Sequence, residues 1–291
     1  MSPGHAGVDG REAILDEYYY LVHDCTRRRL TMASDKLRAF SGLAERAHRA
    51  VGGTYLAGLW PNGIKRSLLF HILLSEDHKP APTNTEYRAP SWSWASLDCP
   101  VQFFNDVDGS SAFGLELISH DVRLRSNDNP YGEVTGASLV AKGIIIPLFR
   151  STETFMAGGF FPHEGWSRFD HAQTTKGDRV AEGPSTHERR WVPVIDSSTR
   201  GCHIVECGIE LGDIEAETEE ADVKIDPQSY SYTEHVGLFV ASGSWGDLYF
   251  LILEPVAGEG PLAFRRAGFL NMPAHEMEWV SELTKQTVKL F

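Results

Sequence analysis

Cysteine is scarce in this sequence and basic residues are outnumbered, and both shortages narrow what the chain can be. Four cysteines, Cys25, Cys99, Cys202 and Cys207, are spread over 291 residues. They are too few and too scattered for a disulfide framework, so the expected compartment is reducing and the expected location cytoplasmic. Lysine and arginine number 27 against 40 aspartates and glutamates, a formal net charge of −13 at pH 7. Such a balance argues against a nucleic-acid partner, because phosphate contacts need clustered cations. Long apolar runs are also missing. The two longest, GIIIPLF (143–149) and LYFLIL (248–253), fall well short of the roughly 18 residues that cross a bilayer, so no membrane partner is expected. The amino terminus, MSPGHAGVDGRE, lacks both the basic start and the apolar stretch of a signal or transit peptide.

The short motifs of catalysis are absent as well. There is no Walker loop, no G-x-S-x-G elbow and no G-x-G-x-x-G after a strand, and HEMEW (275–279) lacks the second histidine of a zinc-protease helix. CHIVEC (202–207) offers Cys202, His203 and Cys207 as soft ligands, but no fourth ligand is specified and the alternation of a strand explains the spacing. His120 beside Asp121, and His163 beside Glu164, are neighbours in sequence, a placement from which side chains rarely cooperate. The expectation is therefore no catalytic residue, no metal site and no cofactor.

What is present begins with helical periodicity. REAILDEYYYLVHDC puts Ile14, Tyr18, Leu21, Val22 and Cys25 on one stripe, with the basic run Arg27, Arg28, Arg29 at its end. The simple reading of those arginines is helix-end charge favoured by the macrodipole, and the sharper one is a contact to an acidic partner. A second helix opens at Ser34 or Asp35 and turns Leu37, Phe40, Leu43, Ala44 and Ala47 inward, leaving Lys36, Arg38, Glu45, Arg46 and Arg49 to water, until Gly52-Gly53 stops it. A third is predicted from Pro61, burying Ile64, Leu68, Leu69 and Ile72. KPAPTNTEYRAP (79–90) reads as an extended linker.

Beyond the linker the period becomes that of strands. These are predicted over 113–126 with a bulge near Ser119-His120, over 138–149 interrupted at Gly143 and ended at Pro147, and over 190–196, 201–211, 235–244, 247–255, 263–270 and 286–291. Gly243 and Gly246 suit a hairpin, HEMEWVSEL (275–283) reads as one short helix, and 151–190 as a long excursion. Glu206–Asp226 holds nine carboxylates against one lysine, most simply a solvated loop, with a docking surface for a basic partner as the other reading. The predicted organisation is a tail (1–10), a helical segment (11–88) and a β-rich domain (89–291). The fold class is α+β, a helical front packed on a mainly antiparallel sandwich or barrel. At the join stands Pro90, followed by Trp92 and Trp94. As a strand, this stretch points both indoles to one face and its small residues to the other, which suits a junction between layers.

In order, YYYLVHDCTRRRLTMASDKLRAFSGLAERAHRAVGGTYLAGLW, SLLF and YRAPSWSWASLD resemble the region that follows the HET domain in fungal heterokaryon-incompatibility proteins. Looser echoes are NPYGEV, LVAKGII, YFLILEP and FRRAGF. There are departures: Tyr18 and Cys25 stand where that family often has Trp and Tyr, Arg38 where a proline is common, and Phe70 in place of a tryptophan. The resemblance implies a non-catalytic interaction or regulatory module in fungal self/non-self recognition and cell death, and carries no catalytic residue onto this chain. About ten residues precede the first helix, so the HET domain itself is expected to be absent, and the expected protein partner is a HET domain in another chain or the missing N-terminal domain. A partly exposed apolar face is accordingly expected around Tyr18, Leu21 and Val22. The alternative is a small-molecule-binding protein or secondary-metabolism enzyme using the interior of the β-domain, with Trp92, Trp94 or Trp245 lining its pocket.

Overall fold

The computed structural model describes residues 10–28, 30, 32–73, 87–105, 107, 114–157, 166–169, 187–196, 201–211, 230–243, 246–273 and 283–291, and gives only the backbone course for the strands between 149 and 234. Among these residues no helix is long and apolar enough to cross a membrane. The helices are α1 (Gly10–Thr26), α2 (Lys36–Val51) and the short α3 (Ile64–Leu68). α1 packs on α2. The buried face of α1 is Leu15, Tyr18, Tyr19 and Val22, and that of α2 includes Leu37, Phe40, Ala44, Ala47 and Val51. Leu43, read as inward, is exposed, and Lys36, read as water-facing, is buried. Gly52 ends α2 at φ 69° with its N–H on His48 O, a position where a Cβ would be strained.

α3 is shorter than the apolar spacing predicts. It opens after Gly63, whose φ is 85°, rather than at Pro61, and closes before Leu69. Ile72, read as helical, instead lies in strand β1 (Phe70–Ile72), which pairs antiparallel with β2 (Val101–Phe103). Apolar residues three and four apart fit a helix or a helix followed by a strand equally well, and here the pairing with β2 decides.

The remaining strands are β3 (Glu116–Leu124), β4 (Val134–Gly143), β5 (Ile145–Ala157), β6 (Trp166–Phe169), β7 (His187–Asp196), β8 (Gly201–Leu211), β9 (Tyr230–Ser242), β10 (Asp247–Pro255), β11 (Ala263–Pro273) and β12 (Gln286–Leu290). They form one ten-stranded sheet in the order β3-β4-β12-β11-β10-β9-β5-β8-β7, with β6 on a second stretch of β11. The architecture is α+β, and the sheet is an open path, not a closed barrel. Most pairings are antiparallel, while β11–β12 and β5–β8 are parallel. The bulge in β3 falls between Leu117 and Ser119, and Gly243 with Gly246 closes the β9–β10 hairpin, Gly246 at φ 87°. Pro147 does not end its strand. It sits exposed within β5, where the register against β9 shifts just after it, as expected of a residue with no N–H to give a ladder. The stretch 151–190 likewise contains the rest of β5, all of β6 and the start of β7. Residues 275–282 of the expected short helix, 212–226 of the acidic stretch and 79–86 of the expected linker lie outside the described residues.

β10 shows why LYFLIL is continuously apolar. Leu248, Phe250 and Ile252 join Ile144, Ile146, Leu148, Leu270 and Met272 in one cluster, whereas Tyr249, Leu251 and Leu253 belong to the cluster that contains the helices. A strand buried on both faces needs no polar alternation. The helix-side cluster runs without a break from Leu15 to Leu290, and it positions the site described next.

Candidate functional site

The segment after Pro90 is not a strand. Ser93 N–H bonds to Pro90 O at 2.9 Å, and residues Trp94–Ser96 form one turn of 3-10 helix that Ser93 caps by accepting from Ala95 N–H at 3.1 Å. Serines compete for the backbone in this way, and here they convert an alternating pattern into a turn. The strand-face reading of Trp92 and Trp94 is thus corrected, while both indoles are fully buried.

What buries Trp94 is a second irregular loop, residues 52–60, which carries its own strain. Ala57 stands at φ 46° and Gly58 at φ 105°. A buried loop must satisfy its carbonyls, and three side chains do so here. Trp94 Nε1–H donates to Gly58 O at 3.0 Å, Tyr18 O–H donates to the same oxygen at 2.9 Å, and Ser93 O–H donates to Ala57 O at 2.5 Å. Edge-to-face contacts extend the group: Phe40 meets Trp94 at 5.3 Å and Tyr18 at 5.4 Å, and Trp60 meets Tyr18 at 5.6 Å. Beyond Trp60 stand Tyr55, Tyr131 and His48, whose Nδ1 is 2.7 Å from the Tyr131 hydroxyl. Burial raises the Tyr18 hydroxyl well above its ordinary range, and the neighbouring Tyr55 adds to the effect; burial also raises Tyr55 and pushes Tyr19 up to about 12. These hydroxyls are neutral hydrogen-bond donors at physiological pH.

Two further ties hold the turn. Ser91 N–H bonds to Phe291 O at 3.0 Å, its hydroxyl donates to the same oxygen, and that hydroxyl oxygen accepts Arg266 N–H at 2.9 Å. Arg266 is itself buried, donating to Leu68 O at 2.7 Å and Phe70 O at 2.5 Å, with its guanidinium 3.6 Å from the Phe70 ring centroid. On the other side, Lys36 donates to Leu97 O and stands 3.4 Å from Asp98 Oδ1, an oxygen that Arg88 also reaches at 2.8 Å.

The expected partner face is dispersed by this arrangement. Tyr18 and Val22 are buried inside the chain and Leu21 is half-buried, so the apolar stripe of α1 is covered by the protein's own core, which withdraws the argument for a missing neighbour there. Arg27 and Arg28 are exposed, Arg28 pairing with Asp24 at 2.6 Å one turn back, and Arg29 lies outside the described residues. Of the proposed junction residues, Trp92 and Trp94 are buried in the core cluster that also holds residues of the helices and of the sheet, and Pro90 accepts the hydrogen bond that starts the turn. The side chains of Cys202, His203, Cys207 and Trp245 are outside the described residues, among which no group of three or more His, Cys, Asp or Glu could hold a metal ion. Sequence reasoning missed Arg266, Lys36, Arg88 and Asp98. All four fall inside segments quoted for the resemblance, Lys36 in the first, Arg88 and Asp98 in YRAPSWSWASLD and Arg266 in FRRAGF, but no period or spacing marked them.

No protein-family description matches the chain, and no characterised protein or solved structure matches it either.

Proposed function

We propose that the chain is a non-catalytic interaction or regulatory module of the fungal heterokaryon-incompatibility type, working in the cytoplasm in self/non-self recognition and cell death through a protein partner. One observation supports this reading above others. The segments that carry the resemblance, between Tyr18 and Asp98, meet at a single junction where Tyr18 and Trp94 donate to the Gly58 carbonyl and Ser93 to that of Ala57, with Trp92 buried beside them. The paired tryptophans therefore serve as structure, and the surface is left for recognition. With Tyr18 and Val22 buried, the exposed end of α1 at Arg27 and Arg28 is the part of the predicted partner site that can meet an acidic surface.

The test is expression of this chain in a fungus with and without a complete HET-domain protein, scoring cell death and co-purification. Co-purification, weakened by Arg27→Glu with Arg28→Glu, is expected, and no death from the chain alone. Death caused by this chain by itself would overturn the non-catalytic assignment.

A further inference from the structure

β3 ends the ten-stranded sheet and pairs only with β4, so among the described residues its other side has no neighbour. At nine residues it is long for an edge strand, and each of them is exposed or half-buried. The direction of its backbone groups follows from two bonds. Arg125 N–H donates to Glu133 O at 2.9 Å and Arg123 O accepts from the Thr135 hydroxyl at 3.2 Å, so residues 123 and 125 turn their backbone groups towards β4. Direction alternates along a strand, which sends the N–H and C=O of His120, Val122 and Leu124 to the open edge. Of the two irregularities in the β3–β4 register, one falls between Leu117 and Ser119 and the other inserts Thr135 on the β4 side, so β3 itself runs unbroken from Ser119 to Leu124. That stretch carries one charge of each sign on the same face. Asp121 and Arg123 have side chains 68% and 70% exposed, only loosely paired with each other at 3.9 Å, and the guanidinium lies over Gly136, which has no side chain to hold it.

We propose that β3 is a self-association edge, pairing antiparallel with β3 of a second copy of this chain about a two-fold axis at Val122. Side chains directly opposite one another share a face of the sheet, so the axis must pass beside a residue, and charge selects which one. An axis at Asp121 sets the two aspartates against each other, and one at His120 sets Asp121 opposite Ser119 and pairs neither charge. The axis at Val122 sets Asp121 of each copy opposite Arg123 of the other, twice over, because a two-fold contact repeats itself. Val122 then exchanges both bonds with its counterpart and His120 exchanges both with Leu124, so every outward backbone group of these three residues is bonded. Asp121 and Arg123 fall at the positions between those bonded pairs, where opposing side chains come closest and opposite charges stabilise. Charges on an edge strand ordinarily keep other strands away; here their spacing admits one register of one partner. This inference stands apart from the recognition role of Arg27 and Arg28, and its failure leaves that role untouched.

The experiment is sedimentation of the full chain from micromolar to near-millimolar concentration, for the wild type, for Arg123→Asp, and for the charge exchange Asp121→Arg with Arg123→Asp. Both side chains are exposed, so neither variant disturbs the core. Expected is a dimer in the wild type, weakened about tenfold or more in Arg123→Asp, where two attractive pairs become two repulsive ones, and restored by the charge exchange. Amide hydrogen exchange of the wild type locates the contact, since the Val122 and Leu124 amides should slow as concentration rises. A wild type that stays monomeric, a dimer that Arg123→Asp leaves unchanged, a charge exchange that binds no tighter than the single variant, or edge amides that do not slow would each overturn the proposal.

Discussion

Gly58 shows how one residue is fixed by what surrounds it. A Cβ built there would lie 2.4 Å from Trp94 Nε1, and the backbone is at φ 105°, so both space and conformation demand glycine. Gly58→Ala is expected to destabilise by about 3 kcal/mol or more, since strain and overpacking add. Trp94→Phe removes the bond to Gly58 O but leaves Tyr18 on that oxygen, so its cost should be about 1–3 kcal/mol from lost volume and a lost hydrogen bond. Because the clash is with the indole, Gly58→Ala should cost less in the Trp94→Phe background, which a double-mutant cycle under urea would detect; equal costs would place the strain elsewhere. Arg266 raises a different question, that of a charge in a core. Arg266→Met takes the guanidinium donors from the Leu68 and Phe70 carbonyls and is expected to cost about 2–5 kcal/mol by the same measurement, the penalty of two buried acceptors losing a partner. No sequence period marks Arg266. It follows Arg265, which pairs with Glu254 at the surface, and only the strand's alternation sends one arginine outward and the next inward.

At the scale of elements, legibility depended on whether local periodicity and tertiary pairing agree. α1 and α2 were readable because a 3.6 period is sustained over sixteen or more residues in each, and a stopping glycine marks the end of α2. β10 was readable from its run of apolar residues flanked by turns. The turn at Trp94 was not, since alternation of serine and tryptophan looks the same whether the backbone is extended or capped by Ser93. β5 was truncated in sequence at Pro147 because the missing N–H falls beside a register shift, which only the pairing with β9 reveals. Long-range ties were invisible altogether. Ser91 fastens the tryptophan turn to Phe291 and Arg266, residues remote in sequence, so it locks the helical front to the last strands of the sheet. Ser91→Ala keeps the backbone bond to Phe291 O and loses the other two, at an expected cost of about 1–2 kcal/mol. Amide exchange at Arg266 should accelerate in that variant, and unchanged protection there would mean the hydroxyl does not hold the layers together.

For the molecule as a whole, burial of ionisable groups in the junction sets how stability depends on pH. Lys36 titrates at about 8 in the folded protein against 10.5 ordinarily. Across that window the unfolded chain carries the extra proton, so the contribution of Lys36 makes stability rise as pH rises. The buried hydroxyls act with the opposite sign. Tyr18, Tyr19 and Tyr55 are all raised above their ordinary 10.0, so above that pH the unfolded chain ionises while the folded one holds its protons, and stability falls. Together these groups place a maximum at about pH 9–10, higher than the neutral optimum common for domains whose carboxylates dominate. Urea unfolding at pH 7.5, 9.5 and 11 measures both limbs. Lys36→Met should lose the rise from pH 7.5 to 9.5 and keep the fall above 10, because only the ammonium is removed while the three tyrosines stay in place. A rise that persists in Lys36→Met would assign it to another group, and a wild type as stable at pH 11 as at 9.5 would mean that the aromatic junction opens to water before its hydroxyls ionise.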